Sequence, residues 1–450
     1  MNFRLLVLTF FVGTLSLSAQ KAKLEYKPRN MDSLRSYIDK ITEKKAASFT
    51  GEHQKAIRKI IAERKTAFMK SVTDSSFVFE KNINNYLKTI LKEIYVANNQ
   101  LQPTDFYFFV ERSPIPNAAC YGNGIFTVNL GLLELVQSDD ELAYILCHEL
   151  AHYELKHNDK SLVDHVTTIN SRQTKQKVRE IKQMRYGKRK AAYDLYKKLS
   201  YNFLKRSRNA EMQADSLGYV LFSKTKYKPA AAFQSMKRLQ ESDSLLFTTD
   251  TRIRSHLNFA GYPFKEGWVT PDETLFDIKE KVDDLAFEKD SLRTHPDMDL
   301  RIAQLQKLFG DHQTGDVASA KILELKNVIS SSLITSSLDG NNMDLALYHT
   351  LALKENDAIE QRTFNNTVAY LLKKTYELKQ THALGKYVEP VSPFSDEKYL
   401  NEVRLFINNI DLKHLRKVGY FFCQTHSSEM EGDSEFAEYL SFFEKLNLKN

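Results

Sequence analysis

The chain has 450 residues, of which 42% are hydrophobic and 27% charged, and its formal net charge is +7. This length allows two or three packed units, and the composition is ordinary for a soluble globular protein. The three cysteines, Cys120, Cys147 and Cys423, argue against a disulfide framework in an exported protein because their number is odd. A bridge between Cys120 and Cys147 is the alternative.

The first 19 residues predict a cleavable secretory signal peptide. Met1–Arg4 carry positive charge, Leu5–Leu17 are mostly apolar, and small residues precede Gln20. The alternative, a membrane anchor, requires about 20 apolar residues, and no stretch of the chain reaches that length. We therefore expect a soluble protein in a bacterial periplasm or outside the cell.

Residues 20–95 predict a helical segment that leads into a central domain at 96–310. A strand is predicted directly after the glycines Gly122 and Gly124, because four residues with high β-propensity follow. These residues are Ile125, Phe126, Thr127 and Val128.

A capped helix is predicted from Ser138 to about His157. Ser138 and Glu141 form a capping box, and apolar residues follow at helical spacing. Within this helix, residues 148–152 spell His-Glu-Leu-Ala-His, an instance of H-E-x-x-H. Because residues four apart share a helix face, His148 and His152 could bind one Zn²⁺ with Glu149 beside them as general base. The alternative is an amphipathic helix with two incidental histidines.

A third ligand is predicted from a later helix. In metzincins a glycine and a histidine follow the second motif histidine, but Leu155 and Asn158 occupy those positions, which excludes that class. Glu211 could supply an oxygen ligand, and Asp215, one turn further, could orient a histidine through its second ring nitrogen. Taken alone, this Glu-x-x-x-Asp spacing is typical of a solvated helix face.

Residues 160–208 are strongly basic, with 15 Lys or Arg against three acidic residues. This segment could be a solvated helical hairpin between the two ligand helices, or it could bind anionic lipid or an acidic part of a substrate. Secretion argues against nucleic acid as a partner.

Two further regions follow the ligand helices. Residues 240–294 contain turn signals and are interpreted as a cover over the cleft. Residues 311–450 predict an all-helical C-terminal domain, without a convincing 34-residue repeat. This domain could bind proteins or support the central domain by packing.

In combination, these segments resemble the HtpX-like zinc metallopeptidases, a family that includes the CAAX-prenyl endopeptidases. The branch of closest resemblance is soluble and periplasmic, similar to the beta-barrel assembly-enhancing protease. The resemblance extends over roughly residues 95–310. It rests on Asn117–Ala119, Gly122–Leu133, Asp140–Ala143, the H-E-x-x-H motif, Glu211 with Asp215, and Thr294–Pro296 with Arg301, Ile302 and Leu305.

The resemblance implies a mainly α fold with a small β-sheet (α+β), built around a zincin-type catalytic domain with an active-site helix. It assigns His148, His152 and Glu211 as ligands of one Zn²⁺ per chain. Glu149 would then be the general base, and Asp215 would support a ligand. His295 could block the open coordination position, as a histidine of this loop can in soluble family members. Alternatively, His295 and Pro296 could begin the helix that holds Arg301.

Zincin folds commonly lay the substrate backbone along an exposed edge strand beside the active-site helix. Gly124, Ile125, Phe126 and Thr127 are the candidate substrate strand, and an ordinary core strand is the alternative. The expected function is zinc-dependent hydrolysis of peptide bonds in misfolded or unassembled envelope proteins. The competing hypothesis is a largely latent protease that acts as a chaperone or scaffold through its C-terminal helices.

Overall fold

The computed structural model describes residues 25–103, 106–242, 247–271, 298–310, 320–391 and 397–448. The predicted signal peptide and His295 lie outside these residues. Within them the chain is mainly helical with one small mixed sheet, which confirms the predicted α+β class.

Three helices precede most of the sheet. They are α1 (Met31–Ser48), α2 (Gln54–Thr73) and α3 (Lys81–Ala97). α1 and α2 pack on one face of the sheet, where Ile38 and Phe68 contact a small aromatic core. α3 instead buries Ile83, Leu87 and Ile90 in the main core. The boundary predicted at residue 95 therefore falls inside a helix of the central domain.

The sheet has four strands in the order β1-β2-β4-β3. Their bounds are β1 (Phe77–Val78), β2 (Tyr107–Glu111), β3 (Ala118–Cys120) and β4 (Ile125–Asn129). β4 runs parallel to β2 and antiparallel to β3. The β3–β4 turn depends on Gly122 and Gly124, whose φ angles of 82° and 88° favour glycine.

The prediction that Gly124–Thr127 form an exposed edge strand is wrong. β4 is an interior strand that pairs with a neighbour on each side, and all five of its residues are buried. The run of β-forming residues identifies a strand but contains no information about its neighbours. The edge beside β4 belongs to β3, whose Ala118 pairs with Val128.

Six α-helices follow the sheet between residues 130 and 240. They are α4 (Leu130–Leu135), α5 (Asp139–Glu154), α6 (His157–Asn170), α7 (Arg172–Gln183), α8 (Lys188–Ser223) and α9 (Ala230–Gln240). α5 ends at Glu154, three residues earlier than predicted. Lys156 adopts the left-handed conformation, with φ of 56°, and this breaks the α-helix before His157 begins α6.

α5 and α8 cross at very short range. A Cβ atom placed on Gly218 of α8 would lie 2.9 Å from His148 Cα and 3.1 Å from His148 N. Only glycine therefore permits this separation of the two helix backbones. Around the crossing, Leu146 and Leu150 of α5 and Phe222 of α8 are fully buried in the main core.

The remaining helices are divided between the main core and a second hydrophobic core. They are α10 (Ile253–His256), α11 (Met298–Phe309), α12 (Ala320–Asp339), α13 (Met343–Glu355), α14 (Gln361–Gln380), α15 (Lys398–Asn409), α16 (Leu412–His426) and α17 (Ser434–Leu448). Of these, α11 packs on α8 and α9 in the main core. α10 and α13–α17 contribute to the second core, with apolar side chains such as Leu347, Val403 and Phe422.

Residues 247–271 were interpreted as part of a cover over the cleft, and this interpretation is wrong for them. Ile253, Phe259 and Trp268 are buried in the second core, where Phe259 stacks on Phe421. Their apolar side chains are covered by the C-terminal helices. Residues 243–246 and 272–294 of the predicted cover lie outside the described residues.

α12 connects the two cores, so the boundary predicted at residue 310 does not separate them. Its Ile322, Ile329 and Leu333 belong to the main core. Lys326 donates to the backbone oxygens of Leu133, Glu134 and Val136 at the end of α4. All three cysteines are free thiols. No helix among the described residues is long and apolar enough to cross a bilayer.

We expect Gly218→Ala to lower the free energy of unfolding by about 1–3 kcal/mol, because the added methyl group forces the α5 and α8 backbones apart. Urea denaturation measures this change. Gly267→Ala is the matched control, since a Cβ there meets no atom within 4 Å. Equal stability of the two variants would contradict the tight crossing.

Candidate metal centre

The first turn of α5 is fixed from both sides. Ser138 Oγ accepts a hydrogen bond from Glu141 N at 3.1 Å, and Glu141 accepts one from Gln137 N at 2.9 Å. The same carboxylate accepts two hydrogen bonds from Arg238 of α9, each 2.9 Å long. Ser138 therefore caps α5 as predicted, while Glu141 reaches back to Gln137, the residue before the N-cap, and also anchors the start of α5 to α9.

Two turns further along, His148 and His152 point to one place, as their spacing predicts. Their Nε2 atoms lie 3.0 Å apart, and each lies 3.4 Å from an oxygen of Glu211 on α8. Ligand atoms around a tetrahedral zinc ion, at bonds of about 2.0–2.2 Å, are roughly 3.3–3.6 Å apart. The group His148, His152 and Glu211 thus has the donor types and the spacing to hold a metal ion.

Asp215, one helical turn beyond Glu211, supports this group from behind. It is almost fully buried, and its Oδ1 lies 3.0 Å from His148 Nδ1. Arg301 of α11 donates to both Asp215 oxygens at 2.6 and 2.7 Å, and its Nη1 lies 3.2 Å from Glu211 Oε2. One buried guanidinium therefore holds both carboxylates and partly balances their charge.

The buried carboxylates of the site stabilise positive charge on their neighbours. Burial lowers the pKa of His148, but the carboxylates of Asp215 and Glu211 outweigh burial and raise it to about 10. Burial raises the pKa of Glu211, yet His148, His152 and Arg301 hold that pKa well below its usual value. The ionised carboxylate and the neighbouring imidazoles are a suitable environment for a cation.

A hydrogen-bond relay fixes the orientation of His152. His157 Nδ1 lies 3.1 Å from His152 Nδ1, and His157 Nε2 lies 3.1 Å from Gln213 Oε1. Because an amide oxygen only accepts, His157 carries its proton on Nε2 and accepts at Nδ1. His152 then donates from Nδ1, so its Nε2 lone pair is directed at the metal position.

Glu149 is buried beside the metal group. Burial raises the pKa of its carboxyl group. Together with His148, Arg301 and the edge-strand residue Ala118, it lines a small and otherwise apolar pocket. On the other side of the metal group, a cleft of about 560 Å³ is lined by His152, Glu211 and residues of α6 and α8.

Three contributors to the site lie outside the predicted site residues. They are His157, expected only near the end of a helix, Gln213, and Arg301, expected only as part of the family motif. His157 lies five residues beyond His152, and Gln213 lies two beyond Glu211, so proximity to the ligands was the available signal. His295 lies outside the described residues, and its predicted regulatory role stays a prediction.

Residues 81–309, just over half of the chain, match the model of peptidase family M48. This chain belongs to peptidase family M48. The M48 match covers strands β2–β4, both ligand helices and Arg301, so the chain is a metallopeptidase whose candidate metal group lies inside the family domain.

Part of this chain is similar to the mitochondrial metalloendopeptidase OMA1 of Schizosaccharomyces pombe. The two sequences are 27% identical over 169 residues. The alignment covers 35% of this chain and 44% of the relative. The chain thus spans less than half the length of this relative.

We expect Gln213→Ala to weaken metal binding by about 10–100-fold, the usual effect of removing a group that supports a ligand. Competition with a chromophoric chelator measures the affinity. Gln213→Glu should retain tight binding, because a carboxylate also accepts from His157 Nε2. Gln183→Ala, on the exposed helix α7, is the control. Unchanged affinity in Gln213→Ala would contradict the relay.

Proposed function

We propose that this protein is a zinc-dependent endopeptidase that cleaves misfolded or unassembled proteins of the cell envelope. The observation that carries the proposal is the convergence of His148, His152 and Glu211, with Glu149 buried next to them. Two imidazole nitrogens and one carboxylate, held on two crossing helices, are the ligand set of a catalytic rather than a structural zinc site.

Zinc held by these three side chains would polarise the scissile carbonyl and acidify a water molecule. Glu149 would take the proton of that water and deliver it to the leaving amine. Its burial suits this role, because a raised pKa brings the carboxyl group closer to the point at which it both accepts and releases a proton. Arg301 would keep Glu211 and Asp215 ionised and fixed in position.

We propose β3, in place of β4, as the strand along which substrate binds. In the antiparallel β3–β4 pair, Tyr121 N donates to Ile125 O and Asn129 N donates to Asn117 O. Alternate residues of β3 therefore direct their backbone groups away from β4. These are Ala118 and Cys120, and Ala118 also lines the pocket of Glu149. Asn158 Nδ2 donates to Cys120 O at 2.7 Å, so a substrate would pair with the backbone groups of Ala118 and with Cys120 N. An extended substrate backbone could pair with this edge by β-augmentation.

Envelope proteins are the proposed substrates because the first 19 residues have the pattern of a secretory signal. The similarity to the soluble periplasmic branch of the HtpX-like enzymes supports the same setting. Comparing the envelope proteins that accumulate in a strain carrying Glu149→Gln with those of the wild-type strain would identify them.

We expect Glu149→Gln to bind zinc with unchanged stoichiometry and to lose cleavage of an unfolded protein, because the proton acceptor is gone while the ligands remain. Elemental analysis and a fluorescent casein assay measure the two properties. Glu154→Gln, an exposed position on the same helix, should retain full activity.

The competing hypothesis of a scaffold predicts a different result. A fully metallated wild-type protein that cleaves no unfolded polypeptide, with or without chelator, would exclude the peptidase and favour a binding function for the C-terminal helices.

A further inference from the structure

A basic surface lies far from the metal group, at the turn between α7 and α8. We name residues Arg172–Lys190 the basic tip. It contains nine Lys or Arg and one acidic residue, Glu180. Among its described side chains, Lys177 with Glu180 is the ion pair that the structure contains. The tip thus has a net charge of +8, which exceeds that of the whole chain.

The basic tip contributes little to the folded core. α7 has no buried residue, and the described side chains of α8 enter the main core only from Ala214 onward. From Lys188 to Glu211, α8 rises by roughly 35 Å at 1.5 Å per residue. The charged side chains of the tip therefore do not take part in packing the core. They lie well away from the metal group.

Apolar side chains are exposed among these cations. Val178, Met184 and Tyr186 have 38%, 41% and 80% of their surface accessible to solvent, and the last two flank the turn that ends at Gly187. Arg185 lies over the Tyr186 ring at 5.7 Å. Isolated exposed apolar residues are normal, but here they cluster at the end of a hairpin and are surrounded by Lys and Arg.

We infer that the basic tip binds the surface of an anionic lipid bilayer. Lys and Arg are attracted to anionic headgroups, while tyrosine and methionine at the turn can enter the boundary between headgroups and acyl chains. Tyrosine is also enriched at that boundary. An acidic protein would match the charge equally well, but Lys and Arg around exposed apolar side chains at the end of a helical hairpin are the pattern of segments that lie in a lipid interface.

Docking through the tip would keep the cleft beside His152 within about 35 Å of the membrane surface. The lining of that cleft includes Lys160 and Ser207, which lie on α6 and α8. Polypeptides close to the bilayer would then be within reach of the catalytic group. This inference does not depend on peptidase activity, so the two can fail separately.

Co-sedimentation with vesicles tests the inference. We expect the mature full-length protein to bind vesicles of phosphatidylcholine mixed with phosphatidylglycerol, and to leave them as salt rises. It should not bind phosphatidylcholine alone. The triple variant Lys182→Ser, Arg185→Ser and Lys188→Ser should bind about a hundredfold more weakly, at about fivefold for each cation removed.

The control is Lys55→Ser, Lys59→Ser and Arg64→Ser, which removes the same charge from exposed positions of α2. This variant should retain binding. Equal loss in both triple variants would assign binding to net charge and overturn the specific role of the tip. Absence of binding by the wild-type protein would also overturn it, and would leave an acidic protein as the partner of this surface.

Tyr186→Trp tests contact with the bilayer directly. Trp268 is the chain's single tryptophan and is buried in the second core, so a new tryptophan at the tip gives a separable signal. Its emission should shift to shorter wavelength with phosphatidylglycerol vesicles. An unshifted emission from bound protein would overturn the insertion of the turn into the interface.

Discussion

The close crossing of α5 and α8 is the constraint on which the rest of the site depends. α5 holds His148, Glu149 and His152, and α8 holds Glu211 and Asp215. The metal group therefore forms only if these two stretches lie next to each other where the helices cross. Gly218 makes this possible because it lets the α8 backbone lie against the backbone of His148. The carboxylates of Glu211 and Asp215 then reach the imidazoles of α5, and Arg301 fixes both of them in position.

Charge balance follows from this crossing. Two carboxylates and two imidazoles in one buried place would be costly to form without a compensating cation. Arg301 supplies a permanent positive charge from α11, and a bound metal ion would add to it. This explains why the family domain extends as far as α11, although the ligands themselves end at Glu211.

The two pairs of site residues were predictable because each depends on local spacing, whereas the fold class was implied by the family resemblance. Residues four apart share a helix face whatever the rest of the chain does, so His148 with His152 and Glu211 with Asp215 could be paired from sequence. The strand order could not be predicted in this way, since β2 and β4 pair across an intervening strand and their sequences do not specify a partner. For the same reason, nothing local revealed that β3 is the edge or that Phe259 and Trp268 pack on the C-terminal helices.

Relays of polar groups were also beyond sequence analysis. His157 and Gln213 come together because α6 begins immediately after the left-handed Lys156, which leaves its first residue 3.1 Å from Gln213 of α8. A one-residue change in the end of α5 would turn His157 away from His152. The contact of His157 with His152 therefore depends on the break between α5 and α6. The number of residues between the two histidines does not predict it.

α12 shows that the main core does not end where the family match ends. The family match ends at residue 309, yet Ile322, Ile329 and Leu333 of α12 fill the main core, and Lys326 binds the last carbonyls of α4. The same helix leads directly into the C-terminal core. The family domain is consequently shorter than the set of helices that completes its core. Among the described helices, α12 meets both cores, so a substitution in it has to fit two sets of neighbours.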